Sequence, residues 1–256
     1  AVWVSEIMLQ QTRVAAASPY YERFMAELPD VFALARVSDD RLHKLWEGLG
    51  YYSRAKNLKR AAQQIVESHG GKLPESYKEL LALPGIGDYT AGAVASLAFG
   101  EPTPAVDGNV LRVYARLNAD ERDVKSPAFK KDVRAVLLPL MPKREPGAFN
   151  AALMELGATV CLPNRAPKCG ECPVGGFCEA RRLGREAELP VTGKKSPRRV
   201  EQKMVFVLLT GKKPLGYKRA ESGLLAGLWQ LPDTAGWLTD AETAAWLFAR
   251  GIAPVG

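Results

Sequence analysis

Leu83-Pro-Gly-Ile-Gly-Asp-Tyr89-Thr-Ala-Gly-Ala-Val-Ala-Ser-Leu-Ala-Phe-Gly100, running on to Val106-Asp-Gly-Asn-Val110, is the stretch from which the rest of the chain can be read. Ahead of it, Glu75 to Leu81 sets Tyr77, Leu80 and Leu81 on one face at helical spacing. Pro84 and Gly85 end that pattern, because the residue before a proline is driven out of the helical region. Gly85 and Gly87 offer backbone angles that side chains disfavour. Asp88 or Thr90 can then open a second helix that runs through Ala98. That helix is mostly Ala, Gly, Val and Ser, so another helix can approach it closely. The prediction is helix, glycine hairpin, helix. Such a hairpin turns backbone N–H groups outward at a helix N-terminus, which is an anion site suited to phosphate.

Asp107 comes next. Val110, Val113, Tyr114 and Leu117 follow it at helical spacing, which places Asp107 at or near an N-cap. A capping carboxylate has its charged form favoured, so Asp107 is expected to stay ionised near neutral pH. It can act as a cap alone, or also as an anion that stabilises a developing cation.

Working outward, the 256 residues suffice for one large or two medium domains, and 47% hydrophobic content supports a real core. No apolar run approaches the 18 or so residues of a membrane helix, and nothing resembles a signal peptide. A net charge of +7 favours an anionic partner, although many proteins are as basic. The chain opens in mid-pattern at Val2 and stops at Gly256 after an apolar segment, so it reads as a fragment truncated at both ends.

Three more stretches join the hairpin and Val106–Val110. They are Ser5-Glu-Ile-Met-Leu-Gln-Gln-Thr12, Leu45-Trp-Glu-Gly-Leu-Gly-Tyr-Tyr-Ser-Arg-Ala55, and Phe149-Asn150 with Glu155-Leu-Gly-Ala-Thr-Val-Cys161. Together they resemble the helix–hairpin–helix DNA glycosylases, and within them the adenine DNA glycosylase (MutY) family. The resemblance is dense over residues 1–183 and weaker beyond. It implies a mainly α, two-lobed helix–hairpin–helix domain with an iron–sulfur cluster loop, followed by a truncated α+β Nudix-like domain. It also implies removal of adenine mispaired with 8-oxoguanine or guanine in double-stranded DNA, by an intracellular, monomeric base-excision-repair enzyme. The expected divisions are residues 1–185 for the glycosylase domain, 186–199 for the linker and 200–256 for a partial lesion-recognition domain.

Residue roles follow from that likeness. Residues 1–17 read as one helix, and apolar neighbours around Glu6 should raise its carboxyl pKa and suit it to general acid work. Glu6 matches the glutamate that protonates the adenine leaving group, and Asp107 matches the catalytic aspartate. Tyr89 and Asn109 would position sugar, phosphate or water. Gln11 matches a glutamine near the lesion, Tyr51 matches a wedge that enters the base stack, and Leu49, Gly85 and Gly87 would meet DNA. Helices are expected over 19–28, 30–35, 39–47 and 55–68, and Arg54, Lys56, Lys59 and Arg60 form a basic run that is either a solvated face or a phosphate contact. Tyr89 stands where the related endonuclease III family carries a lysine. A phenol forms no Schiff base, so a hydrolase is expected rather than a lyase. A glycosylase/lyase of the endonuclease III kind, acting on oxidised pyrimidines, is the alternative. Departures from the family are Leu111, where some members carry lysine, and Ala151, where relatives often carry Gln or Glu.

All four cysteines fall within eighteen residues: Cys161, Cys169, Cys172 and Cys178. Four thiols including a Cys-x-x-Cys signal a metal, and zinc or an iron–sulfur cluster would suit them. The spacing resembles the family's four-iron, four-sulfur (4Fe-4S) loop, with one residue more in the first interval. Asn164, Arg165 and Lys168 could reach phosphate, and Arg181, Arg182 and Arg185 continue the basic surface. Beyond the linker, Lys203–Thr210 reads as a buried strand, Gly216–Arg219 can pair back, and Gly223–Pro232 resembles the Nudix-like domain. Asp240–Gly251 carries only Asp240 and Glu242, too few carboxylates for a catalytic Nudix helix.

Overall fold

The computed structural model describes residues 1–163, 166–193, 200–220 and 222–253. Asn164, Arg165 and the 194–199 part of the expected linker lie outside them. Clustering of backbone contacts divides the chain into two units, Ala1–Lys194 and Lys195–Gly256.

The first unit is helical. Its order is α1 (Val2–Leu9), α2 (Val14–Glu27), α3 (Val31–Arg36), α4 (Asp39–Trp46), α5 (Ser53–His69), α6 (Tyr77–Leu81), α7 (Asp88–Phe99), α8 (Gly108–Leu117), α9 (Pro127–Leu137), α10 (Pro146–Glu155) and α11 (Glu179–Arg182). Many starts are set by capping side chains: Asp30, Ser38, Ser76 and Ser126 each accept a backbone N–H two or three residues into the helix that follows. Two hydrophobic cores result. One, around Met8, Phe24, Leu42, Trp46, Leu58, Ile65 and Leu80, joins α1–α7. The other gathers Val110, Leu111, Ala115, Phe129 and Val133 from α8 and α9.

The hairpin forms as expected between α6 and α7. Gly85 has φ +77, and a Cβ there would lie 2.5 Å from Asn57 Cβ. Gly87 does not need such an angle: it is extended at φ −99, ψ 178 and is the N-cap of α7. The small residues of α7 do permit close approach. A Cβ on Gly92 would lie 2.4 Å from the Pro104 carbonyl oxygen, and one on Gly147 of α10 would lie 2.9 Å from Ser96 O. The first contact holds the segment 101–107 that leads to Asp107 against α7, and Asn150 of α10 accepts from Ala105 N–H and donates to Thr103 O.

One helix expectation is corrected. Residues 1–17 are not one helix, because α1 ends at Leu9 and α2 begins at Val14, with Gln11 at φ +59 between them. Pro19 therefore lies inside α2 rather than at its start. After α10, Leu156–Val160 widens into a π-helical turn.

In the second unit the expected strand Lys203–Thr210 is two short strands, β1 (Lys203–Val205) and β2 (Leu209–Thr210). With β3 (Lys213–Pro214), β4 (Tyr217–Lys218), β5 (Trp229–Gln230) and β6 (Asp233–Ala235) they form three antiparallel pairs: β1 with β6, β2 with β3, β4 with β5. Helix α12 (Asp240–Phe248) follows, and its Trp246 stacks on Phe206 with ring centroids 4.4 Å apart. Glu242 closes a capping box with Thr239, so this carboxylate is engaged in starting α12. No helix among the described residues is long and apolar enough to cross a membrane.

Candidate active site

A groove of roughly 1300 Å³ in the first unit is lined by Glu6 from α1, Gly87 and Tyr89 from the hairpin and α7, and Asp107 at the start of α8. Gln11 lines it too. Elements far apart in sequence thus bring both carboxylates to one cavity.

The Tyr89 hydroxyl donates to Glu6 Oε2 at 2.6 Å and also lies 3.5 Å from Met154 Sδ. Burial is the largest influence on Glu6 and pushes its carboxyl above the usual range, with Asp107 adding to the rise and the Tyr89 hydrogen bond opposing it. Burial and the adjoining Glu6 push the Tyr89 phenol upward, so it remains a neutral donor. Tyr89 donates to Oε2, which leaves Oε1 to carry the acid proton when Glu6 is neutral.

Asp107 caps α8: Val110 N–H donates to Oδ1 at 2.8 Å. Asn109 Nδ2 donates to Oδ2 at 2.8 Å. The capping role expected of Asp107 is present, and burial acts against the charge that the cap favours. Burial raises its pKa more than these hydrogen bonds and Arg112 lower it.

The sequence reading missed Arg112 and Arg116. Arg112 Nη2 donates to Asn109 Oδ1 and to Gly157 O, both at 2.7 Å, and its Nε donates to Cys161 O at 2.7 Å. Gly157 sits in the π-turn, where a Cβ would come 2.5 Å from Asn109 Cβ. Arg116 donates to Cys161 Sγ at 3.2 Å and to Leu162 O at 3.0 Å. Both arginines are buried. Their signal was two arginines four apart on a helix whose other residues are apolar, a pattern that asks where the charges are paired.

The remaining site residues are spread out. Tyr51 is 60% exposed at φ +48. Leu49, expected at the DNA surface, is instead 8% exposed in the core around Trp46. Gly87 starts α7 without any side-chain cap, which leaves first-turn N–H groups open. Of the basic run, Lys59 pairs with Asp39 at 2.5 Å, and Arg54 is buried.

All four cysteines are unpaired by disulfides and line one small cleft with Arg116, Lys168, Gly175 and Arg181. Gly175 is tightly held there, since a Cβ would meet Arg181 Nη1 at 2.5 Å and Cys172 Cβ at 3.5 Å. Among the described residues, no three His, Cys, Asp or Glu side chains converge closely enough to hold one metal ion. Leu111 lines the groove, and Ala151 lies on α10 next to Asn150.

Comparison with known proteins gives clear likenesses. The human adenine DNA glycosylase is 39% identical over 278 aligned residues, covering 91% of this chain and 51% of that protein. The chain therefore spans about half the length of that relative. A thermostable thymine-DNA glycosylase structure superposes with TM-score 0.62 at 28% identity, covering 71% of this chain and 83% of that one. Endonuclease III in a non-covalent DNA complex shares the fold, with TM-score 0.62 at 24% identity over 72% of this chain and 84% of its own. The family described as HhH-GPD superfamily base excision DNA repair protein matches residues 4–137, which is more than half of the chain and takes in the hairpin, Glu6, Tyr89 and Asp107. The chain belongs to the HhH-GPD superfamily of base excision DNA repair proteins.

Proposed function

We propose that the protein is a monofunctional DNA glycosylase that hydrolyses the N-glycosidic bond of adenine mispaired with 8-oxoguanine or guanine in duplex DNA, with Glu6 as the acid and Asp107 as the stabilising anion. The observation that carries this reading is the unequal surroundings of two carboxyls in one groove. Glu6 has burial acting on it and one hydrogen bond from a neutral phenol. Asp107 has burial too, but it is opposed by Val110 N–H, Asn109 and the nearby Arg112 charge. Asp107 is therefore the anion with more hydrogen-bond and charge support, and Glu6 the group better suited to hold the proton.

Breaking the bond builds oxocarbenium character on the sugar and requires the base to leave neutral. Glu6 would protonate adenine at N7. Asp107 would face the sugar, held by its cap and by Asn109. Tyr89 would orient Glu6. The base must leave the stack first, and the exposed Tyr51 would fill the space behind it. Open N–H groups at Gly87 would take a DNA phosphate. The organisation proposed is a glycosylase domain over 1–185, a linker over 186–199 and part of a Nudix-like lesion-recognition domain over 200–256. Occupation of the Glu242 carboxylate by its own helix cap supports a binding role for that last domain rather than pyrophosphate hydrolysis.

Cys161, Cys169, Cys172 and Cys178 fit a 4Fe-4S cluster: they are free thiols around one cleft, with Arg116 donating to Cys161 Sγ to offset thiolate charge. Bound there, the cluster would supply a thiolate-ligated inorganic core that cross-links the loop.

The test is single-turnover release from a duplex with one 8-oxoguanine:adenine pair. Free adenine and an intact strand that breaks only after alkali are expected. Strand cleavage without alkali, with efficient borohydride trapping, would favour the endonuclease III-like lyase and refute the assignment, since Tyr89 offers no amine.

A further inference from the structure

Arg54 is a charge at the wrong address for a surface run. It is 9% exposed, and among the described residues its hydrogen-bond partners include no carboxylate. Its two terminal nitrogens are met by oxygens from two separate places, the end of α1 with the loop after it and the loop after α4, while Nε is buried without a partner. Nη1 donates to Ile7 O at 2.8 Å, Met8 O at 2.9 Å and Gln10 O at 2.7 Å. Nη2 donates to Leu49 O and Gly50 O, each at 3.2 Å, and to Thr12 Oγ1 at 3.4 Å. The first group contains carbonyls that the end of α1 leaves without intrahelical partners, and a cation there also meets the negative end of the helix dipole. In the second group, Leu49 and Gly50 belong to the loop just ahead of Tyr51 and Thr12 to the α1–α2 loop.

Both loops hold a non-glycine residue in left-handed backbone geometry, Gln11 at φ +59 and Tyr51 at φ +48. Such angles persist only where surroundings impose them. The guanidinium is the shared surrounding, and it also lies 5.4 Å from the Trp46 ring and 5.6 Å from the Tyr51 ring. We propose that Arg54 is a positioning residue that holds, through one guanidinium, the two loops carrying Gln11 and Tyr51 in the shape with which they enter DNA. This rests on the glycosylase reading above. Lysine cannot substitute, because a compact ammonium presents its donors at one point and cannot bridge two loops with a planar fork.

Arg54→Lys tests it at a temperature where circular dichroism shows the variant folded. Single-turnover adenine release should fall by about tenfold or more, the scale on which small misplacement acts. The pH profile should keep its shape, since the Glu6–Tyr89 pair is untouched. In a Gln11→Ala, Tyr51→Ala background, Arg54→Lys should cost little further, whereas a loss through general destabilisation would add in full. Amide exchange reads the same inference without relying on activity: protection should drop over residues 9–12 and 49–52 and stay over 108–117. Absence of adenine release by the unmodified protein would count against the glycosylase reading, while the exchange result would still decide the role of Arg54. Unchanged exchange in both loops, or fully additive rate losses, would overturn the inference. Should lysine not support folding, Arg54→Gln takes its place. If neither variant folds, Arg54 serves the whole fold and the inference falls.

Discussion

Tyr89→Phe separates the acid role of Glu6 from the placement role of Tyr89. The hydroxyl donates to Glu6 Oε2 at 2.6 Å, and this bond favours the charged carboxylate, holding the Glu6 pKa below where burial alone would take it. Phenylalanine keeps the ring and the burial and deletes the donor. A hydrogen bond to a charged group contributes about 1.5–3 kcal/mol, and about 1.36 kcal/mol corresponds to one pKa unit. The deletion should then raise the Glu6 pKa further, with water entering the groove recovering part of the lost hydrogen bond. The assay is single-turnover adenine release against pH. The rate should fall as pH rises through the Glu6 pKa, because only the protonated acid can donate. In Tyr89→Phe the plateau should be lower, as placement is looser, yet the falling limb should move to higher pH. A limb that stays in place, or moves to lower pH, would refute the pairing of Tyr89 with the ionised form of the acid.

Glu6→Gln should bind mispaired duplex and release almost no adenine, and near-normal release would reject Glu6 as the donor. The same variant carries a stability signature: the folded pKa of Glu6 is raised, so the native state binds the extra proton and this group's stabilisation, complete below the unfolded pKa, is lost as pH rises through the folded value. Thermal melts should therefore show Glu6→Gln gaining on the unmodified protein at alkaline pH, with the gain vanishing toward acid. Gly157→Ala should cost about 1–3 kcal/mol by overpacking against Asn109 and slow base release more than Asp107-independent DNA binding, as measured by denaturation and by titration of duplex. Purified protein should be brown with about four irons per chain, and Cys169→Ala should lose both colour and iron, whereas a colourless active protein with stoichiometric zinc would reject the cluster.

Much of the fold was legible because it is written in local chemistry. Pro84 and Gly85 between two apolar-faced segments predict the hairpin, and the observed hairpin uses them. Asp107 ahead of a helical pattern predicts a cap, and its carboxylate accepts from Val110. Capping depends on residues within one turn, so a sequence shows it directly. The degree of burial does not. Leu49 reads as a loop residue but packs in the core, and Asp107 reads as a plain capped anion although its groove shifts it upward. The joint meeting of Glu6, Tyr89 and Asp107 was accessible through family likeness alone, since no spacing rule links positions 83 residues apart.

The break at Gln10–Arg13 shows why the rest stayed hidden. No proline or glycine marks it, and local propensity favours continuing α1 into α2. What ends the helix is outside it. Carbonyls of Ile7, Met8 and Gln10 are taken up by Arg54, a residue 44 to 47 positions away. A carbonyl is the same group in every residue, so its capture leaves no trace in side-chain identity. The trace lies on the donor, as an arginine placed where helix α5 turns its buried face toward the core among Ala55, Leu58 and Ala62. An arginine on an apolar face must find oxygens to replace water. When no acid of suitable spacing is present, the oxygens are backbone, and the segments that supply them are held in shapes their own sequences would not choose. Here those segments carry Gln11 and Tyr51, so the same buried charge that hid the end of α1 from the sequence also sets the two loops that the proposed chemistry uses.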